Sequence, residues 1–168
     1  AGLGDGNIIN AGLLTLTREK KQLVNAISDA GSVVLQNNSD IIASGDNSQF
    51  SGLFDINNAS QLTVSQAANL GTASVTNNGS LVLNSATDWA LANSVAGTGS
   101  LTKNGTGTVS LTQSATYTGQ TDINAGGLIL GSNADPMTLA SQQVNIASGA
   151  FMGGFGGVVG AIDNQGVL

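Results

Sequence analysis

The side chains that could do acid–base chemistry in this chain are ten carboxylates and four basic groups. Two carboxylates held a few ångströms apart can cleave a glycosidic bond. Most of the aspartates, however, lie in or beside runs of Gly, Asn and Ser, where a carboxylate usually accepts hydrogen bonds from nearby backbone amides. We therefore expect turn roles for six of them: Asp5, Asp29, Asp40, Asp46, Asp135 and Asp163.

The composition excludes most other catalytic schemes. The sequence contains no His and no Cys, which removes Ser–His pairs, thiolate nucleophiles and disulfides. Its net charge is −6, and its basic residues are too few to neutralise a phosphate backbone. We therefore predict a protein that is not an enzyme, needs no metal or cofactor and does not bind nucleic acid. A β-helical enzyme acting on glycans is the less favoured alternative.

Two glycine motifs are superficially similar to ligand sites. Gly153–Gly160 is similar to a dinucleotide fingerprint, but its third glycine falls one place late and no strand–helix–strand unit surrounds it. Gly4–Ile8 is similar to a calcium-binding nonapeptide coil, which binds ions only in tandem copies. We expect a terminal turn or hairpin at the first motif and a turn at the second.

Three aromatic residues are candidates for recognition, namely Trp89, Tyr117 and Phe151. Each of them could instead fill the core or cap the fold. A surface-exposed Trp89 would favour a binding patch, since exposed aromatic side chains are enriched at interfaces.

The elements that position all these residues come from a repeated phrase: a β-branched residue, a turn of Asn, Ala, Ser and Gly, then alternating apolar residues. The copies begin one or two units of about 16 to 24 residues apart, which is the period of a solenoid. Within each copy the period of two points Leu, Val and Ile inward. The copies begin at Ile9, Ile56, Val75, Ile123, Ile146 and Ile162.

The repeat favours seven or eight stacked β-coils, in one segment covering residues 1–168. The presence of a single Pro agrees with long strand ladders, because Pro lacks an amide hydrogen. An ordinary β-sandwich is the rival architecture, since it also has short strands and frequent turns. No apolar run approaches the roughly 18 residues of a membrane span. Because the chain begins without a charged region followed by an apolar one, we interpret it as a fragment of a longer protein.

Two segments leave alternatives open. Thr17–Ala30 gathers Arg18, Lys20 and Lys21 with helix-like apolar spacing, and we expect a short helix or a loop inserted between coils, with a strand over Gln22–Ile27 as the alternative. Its charge could mark a protein contact, although a solvated loop is the favoured interpretation. Residues 149–168 could form further coils or a hairpin cap.

The densest motif lies between Gly97 and Leu130. It runs Gly-Thr-Gly-Ser-Leu-Thr-Lys, then Asn-Gly-Thr-Gly-Thr-Val-Ser-Leu, and after a spacer Tyr-Thr-Gly-Gln-Thr-Asp-Ile-Asn-Ala-Gly. This closely resembles the passenger-associated transport repeat of bacterial autotransporters, the proteins of type V secretion. The sequence departs from the family pattern at Val109, where Leu is usual, and over Gln113–Thr116. The resemblance gives structural roles to Gly97, Gly99, Leu101, Lys103, Gly105, Gly107, Leu111, Tyr117, Gly119, Thr121, Ala125, Gly126 and Leu128.

The resemblance implies a right-handed parallel β-helix near the C-terminus of a passenger, with 97–130 in its autochaperone region. Such a region promotes folding of upstream coils and surface display through an outer-membrane translocator, so the implied partners are those coils and that translocator. The implied location is the bacterial cell surface. An adhesin-like segment that binds a host protein is the alternative, because the chain further resembles a virulence passenger that recruits host actin-assembly factors.

Two side chains of the motif are given specific expectations by the resemblance. Tyr117 is expected to pack at a coil corner with its hydroxyl hydrogen-bonded. For Lys103, the family pattern does not suggest the burial that a catalytic Ser–Lys pair would need.

Overall fold

The computed structural model describes residues 3–4, 6–17 and 19–168. The turn expected at Asp5 and the contribution of Arg18 to the charged segment lie outside the described residues. Strands account for nearly all regular structure in the described part, which contains no helix long and apolar enough to cross a membrane.

Short strands follow one another with three to a turn, and about eight turns are stacked. In chain order the elements are β1 (Ile8–Ile9), β2 (Leu13–Leu16), β3 (Lys21–Leu23), β4 (Ile27–Ser28), β5 (Ser32–Leu35), β6 (Asp40–Ala43), β7 (Leu53–Ile56), β8 (Gln61–Val64), a 3₁₀ helix η1 (Ala67–Asn69), β9 (Ser74–Asn77), β10 (Ser80–Asn84), β11 (Trp89–Leu91), β12 (Val95–Ala96), β13 (Ser100–Asn104), β14 (Thr108–Leu111), β15 (Thr121–Ile123), β16 (Gly127–Leu130), β17 (Thr138–Leu139), β18 (Gln143–Ile146), β19 (Phe151–Gly154), β20 (Gly157–Val158) and β21 (Ala161–Asn164).

These strands form the three faces of a solenoid. Face one stacks β2, β5, β7, β9 and β12 and continues through isolated bridges at Ala115 to β17 and β20. Face two is one sheet of eight strands, in the order β3, β6, β8, β10, β13, β15, β18, β21. Face three has two parts, β1 with β4 and then β11, β14, β16 and β19, separated by η1. The strand pairs that join successive turns are parallel, which confirms the solenoid and excludes the antiparallel β-sandwich.

The register advances by about 20 residues per turn, as the pairing of Leu81 with Leu101 shows. Strands such as β5, β6, β7 and β8 alternate half-buried and buried positions, which confirms the predicted period of two. The buried positions form one continuous core along the stack. Within it, Phe50 and Phe54 meet edge to face with centroids 5.2 Å apart.

Buried asparagines lie at the corner between faces two and three. Asn47 donates to the Asn69 carbonyl at 2.6 Å, and its Oδ1 accepts from the Ile27 amide at 2.7 Å. Asn69 in turn donates to the Gly45 carbonyl of the preceding turn, and Asn25 donates to the Gly6 carbonyl at 2.6 Å. Each of these side-chain amides hydrogen-bonds a backbone amide or carbonyl group of a neighbouring turn that would otherwise have no partner. This asparagine column therefore links the first turns to one another.

The helix expected within Thr17–Ala30 is wrong for the residues that the structure describes there. β3 and β4 occupy this segment and pair in parallel with β6 and β1. Leu23 and Ile27 are buried while Val24 is exposed at the corner between the two strands. The chain turns a corner between these apolar residues, so their helix-like spacing belongs to two strands on different faces. Lys20 and Lys21 are exposed.

The C-terminal segment forms a further turn of the solenoid. β19, β20 and β21 pair in parallel with β16, β17 and β18, so the hairpin considered for 149–168 and for Gly153–Gly160 is wrong. Glycine suits this turn because Gly160 lies against the Gln142 backbone, where a Cβ would approach to 2.1 Å. The stack therefore continues with the same register instead of folding back.

Candidate functional site

The transport-repeat segment occupies β13 to β16 and the corners between them, more than one and a half turns. Its apolar signature residues Leu101, Leu111 and Leu128 are buried in the common core. They continue the core rows of the neighbouring turns, since Leu101 pairs with Leu81 and Leu128 with Met152. Among those apolar residues the segment also buries a lysine and a hydrogen-bonded tyrosine–threonine pair.

Lys103 is one of these groups, and its side chain is fully buried. It occupies an inward row of face two between Leu83 of the preceding turn and Ile123 of the following one. The Nζ atom leaves this apolar row to donate to the carbonyls of Asn104 and Gly105, both at 2.8 Å, and of Ala125 at 3.1 Å. The expectation that Lys103 is not buried is wrong. Three carbonyl acceptors at the corner offset the desolvation of its ammonium group.

Burial lowers the pKa of Lys103, and the nearby Asp88 carboxylate partly offsets this by raising it. Asp88 lies at the exposed start of face three, where its Oδ1 accepts a 2.7 Å hydrogen bond from the Thr108 amide. The Lys103 ammonium therefore lies inside the solenoid, where the Asp88 carboxylate acts on it electrostatically. No serine hydroxyl is hydrogen-bonded to Lys103, so the geometry does not form a Ser–Lys nucleophilic pair.

Tyr117 and Thr121 form the second inward polar pair of the segment. Both side chains are fully buried, and their hydroxyl oxygens lie 2.7 Å apart. Tyr117 lies at the corner between faces one and two and is the largest fully buried side chain of the described residues. The expected corner position and bonded hydroxyl of Tyr117 are both confirmed.

Burial raises the pKa of Tyr117 above its usual value of 10, and the hydrogen bond with Thr121 opposes this only in part. The unfolded chain therefore loses the phenolic proton at a lower pH than the folded chain, so the stability contributed by this group is lost as pH rises above about 10. Lys103 acts in the opposite direction only up to its ordinary pKa of 10.5. Above that pH we expect the free energy of unfolding to fall by about 1.4 kcal/mol per pH unit.

This alkaline transition has a clean spectroscopic marker, because Tyr117 is the only tyrosine in the chain. We expect tyrosinate absorbance to increase together with the loss of the β-sheet circular dichroism signal. In the Tyr117→Phe variant the fall in stability above pH 10.5 should disappear. Tyrosinate absorbance at pH 10 from a chain that is still fully folded would contradict the burial of this hydroxyl.

The signature glycines allow neighbouring turns to approach closely. A Cβ at Gly99, Gly105, Gly107 or Gly119 would lie between 2.1 and 2.4 Å from a carbonyl oxygen of the preceding turn. Gly126 has a φ of +64°, and a Cβ there would also lie 2.9 Å from the Lys103 Nζ. Its missing side chain therefore makes room for the ammonium group as well as for the left-handed turn.

Two of the described aspartates have the expected role of a turn carboxylate that accepts from a nearby backbone amide. Asp29 accepts from the Ala30 amide at 2.9 Å and Asp46 from the Ser48 amide at 3.0 Å, and the latter bond lowers the pKa of Asp46. Asp135 lies in a turn closed on Ser132. Asp40 begins β6 beside a turn, whereas Asp163 lies within β21, so a turn role for Asp163 is wrong.

The other aromatic candidates pack on the solenoid itself. Trp89 is half-buried and packs against the core in the row of Val109. Its indole Nε1 is buried without a hydrogen-bond partner, and Trp89 does not form the exposed patch that would favour recognition. The Phe151 ring lies over Gly127 of the neighbouring turn, where a Cβ would approach its Cζ to 2.1 Å.

Metal-ligand clusters and clefts are the other places where a site could lie. No three metal-binding side chains cluster among the residues that the structure describes. A shallow cleft of about 340 Å³ opens between the loops of two adjacent turns, lined by exposed polar residues around Gln113 and Asp135. Its lining contains no aromatic side chain, no Lys or Arg, and a single carboxylate, that of Asp135. The inward polar groups of the transport-repeat segment are therefore the candidate functional site.

Comparison with known proteins agrees with this choice. The model of the passenger-associated transport repeat matches residues 101–130. An uncharacterized lipoprotein of Escherichia coli strain K12, YdeK, is 44% identical over 154 residues, which are 91% of this chain and 12% of that protein. YuaQ, an uncharacterized protein of the same strain, is 51% identical over 106 residues, covering 63% of this chain and 8% of its own length.

The chain thus spans about a tenth of the length of the curated relatives that it matches. No solved structure matches it. None of these comparisons bears on recruitment of host actin-assembly factors, which stays a prediction. A transport repeat on a parallel β-solenoid suggests a segment of an autotransporter passenger.

Proposed function

We propose that this chain is the autochaperone module of a secreted passenger and promotes the folding and surface display of upstream β-helix coils. The observation that carries the proposal is the inward polar network of the transport repeat. Lys103 joins two successive turns by bonding the carbonyls of Gly105 and Ala125, and Tyr117 with Thr121 fixes the corner between them. Hydrogen bonds as well as apolar contacts therefore hold this turn of the stack in its conformation.

The physics of solenoids gives this network a role in folding. Each turn contacts only its neighbours, so stability is close to a sum of terms for single turns and for the interfaces between them. The first turn to form has no partner on which to bury its apolar face. A turn that is ordered by its own hydrogen bonds presents a complete strand edge on each face, and the next turn can pair with it without a new nucleation step.

The proposed location is the extracellular side of the outer membrane. The transport repeat supports export, and the description of YdeK as a lipoprotein supports a place in the cell envelope. We propose upstream coils of the same passenger and its translocator as the partners, and a role without enzymatic activity. The surface of the described residues does not indicate one particular contact with a host protein.

In-phase deletion of one turn tests the proposal. Thr102 pairs with Asp122, so removal of residues 102–121 joins Leu101 to Asp122 and leaves the remaining strands in register. This deletion removes Lys103, Tyr117 and Thr121 together. In a full-length passenger that carries the chain, we expect surface display and protease resistance of the upstream coils to fall about tenfold or more.

A second in-phase deletion provides the matched control. Leu62 pairs with Leu81, so removal of residues 62–80 also takes out one turn but leaves the transport repeat intact. This variant should retain most of its display and protease resistance. Equal losses in the two deletions would show that any turn is as important as the repeat and would reject the autochaperone proposal.

A further inference from the structure

The apolar rows of face two do not by themselves define which residues of adjacent strands pair. One inward row contains Leu81, Leu101, Thr121 and Val144, and the neighbouring row contains Leu83, Lys103, Ile123 and Ile146. A strand that slips by one residue turns its apolar side chains to solvent. A slip of two residues, however, exchanges one inward row for the other and places apolar side chains on apolar side chains.

Lys103 distinguishes these registers because its acceptors lie in two successive turns. In the observed register its Nζ reaches the Ala125 carbonyl at 3.1 Å. A slip of β15 by two residues moves that carbonyl by about 6.6 Å along the strand, out of hydrogen-bonding range. The ammonium group would then be buried with one acceptor fewer, which is costly for a charge.

Gly126 adds a steric condition to the same choice. The Lys103 Nζ lies 2.9 Å from where a Cβ of Gly126 would be. In a register shifted by two residues, the position of Gly126 is taken by Asn124 or Leu128, whose side chains would occupy the place of the ammonium group. Only the observed register gives the Lys103 ammonium group both the Ala125 carbonyl as an acceptor and the room beside Gly126.

We propose that Lys103 is the register-determining residue of the transport-repeat turn: its buried ammonium group selects the pairing of β13 with β15 from the two-residue slips that the apolar rows tolerate. The inference deepens the proposed function and rests on it for its biological meaning, because a template must present its edge in a single register. Register itself is a property of the isolated chain and can be measured without secretion.

Engineered disulfides in the 168-residue chain test the inference, and the absence of native Cys gives a clean background. Thr102 and Asp122 are half-buried partners in the observed register, so cysteines at these positions report correct pairing. Cysteines at Thr102 with Gln120, or at Thr102 with Asn124, report the two slips. In the observed register these pairs are separated by about 8 Å, too far for a disulfide.

Each cysteine pair is refolded and oxidised in the wild-type background and with Lys103→Met, and closure is measured by mass spectrometry. With Lys103→Met we expect closure of the slipped pairs to increase about tenfold, at the expense of the 102–122 pair. Thermal stability should change little, since an apolar side chain can replace a buried charge at small cost. A merely structural role would lower stability without producing slipped disulfides.

The control is Leu83→Met, which changes the same inward row one turn earlier without changing charge. It should close the disulfides as the wild type does, and slipped closure equal to that of Lys103→Met would overturn the inference. Complete 102–122 closure without slipped disulfides in Lys103→Met would also overturn it. If Lys103→Met does not fold, the same pairs are measured in Lys103→Gln, where increased slipped closure supports the inference and wild-type closure rejects it.

These results are separable from the deletion experiment. Slipped disulfides combined with normal display after loss of residues 102–121 would support register selection and reject the autochaperone role. Correct disulfides in Lys103→Met, combined with lost display after the deletion of residues 102–121, would reject register selection and support the autochaperone role.

Discussion

Asn47→Ala is expected to lower the free energy of unfolding by about 3 to 5 kcal/mol. The Asn47 side chain is fully buried and bonds two other turns, through the Ile27 amide and the Asn69 carbonyl. Alanine lacks the side-chain amide, so the buried Ile27 amide loses its acceptor and the buried Asn69 carbonyl loses its donor. Each group left without a partner costs about 1 to 3 kcal/mol. Urea denaturation followed by circular dichroism measures the change.

The control for this prediction is Asn58→Ala. Asn58 lies in an exposed turn of the same solenoid, and its substitution should change the free energy of unfolding by no more than about 0.5 kcal/mol. The two variants therefore compare a corner asparagine that bonds backbone with one that faces solvent. A loss below about 1 kcal/mol for Asn47→Ala would mean that water or a shifted backbone satisfies the exposed groups.

The asparagine column also shows what sequence reasoning missed. Asn25, Asn47 and Asn69 recur at equal intervals, and this signal could have located one corner of the solenoid. The repeat was instead identified through turns such as Ile56–Ser60, whose residues lie at the corner between faces one and two. Asparagine is common in both places, so composition alone does not separate a solvated turn from a buried bridge between turns.

The parallel architecture and the inward rows could be predicted because both follow from local pattern. Alternation in a strand determines which side chains turn inward, and a period of about 20 residues requires stacking. The helix expected near Leu23, Val24 and Ile27 failed for a related reason. A corner between two short strands produces apolar spacing similar to that of one helical turn, and only pairing with β1 and β6 distinguishes the two.

The burial of Lys103 could not be predicted in this way. A lysine at an inward strand position normally argues against that strand, because burying its charge is unfavourable. Here the acceptors are carbonyls of two corners that meet only when successive turns are stacked. The family resemblance located the residue, and the stacked geometry explains what it bonds. The role of Asp88 could not be predicted either, because no motif marked this residue. It lies close enough to raise the pKa of Lys103.

Gly107→Ala is expected to lower the free energy of unfolding by about 3 kcal/mol or more. A Cβ at this position would lie 2.2 Å from the Thr87 carbonyl oxygen and 2.5 Å from the Thr87 carbonyl carbon. The obstacle is backbone, which cannot rotate away as a flexible side chain could. The two turns would have to separate locally, and strands pair only near their spacing of about 4.8 Å.

Gly12→Ala is the matched control, because Gly12 is exposed and a Cβ there would meet no atom within 4 Å. It should leave stability unchanged within about 0.5 kcal/mol. Chemical denaturation of both variants gives the comparison, and hydrogen exchange locates the damage. Because interface terms act between neighbouring turns, amide protection in Gly107→Ala should fall first in β11 and β14. Uniform loss of protection along the whole solenoid would instead show that its turns unfold as one cooperative unit.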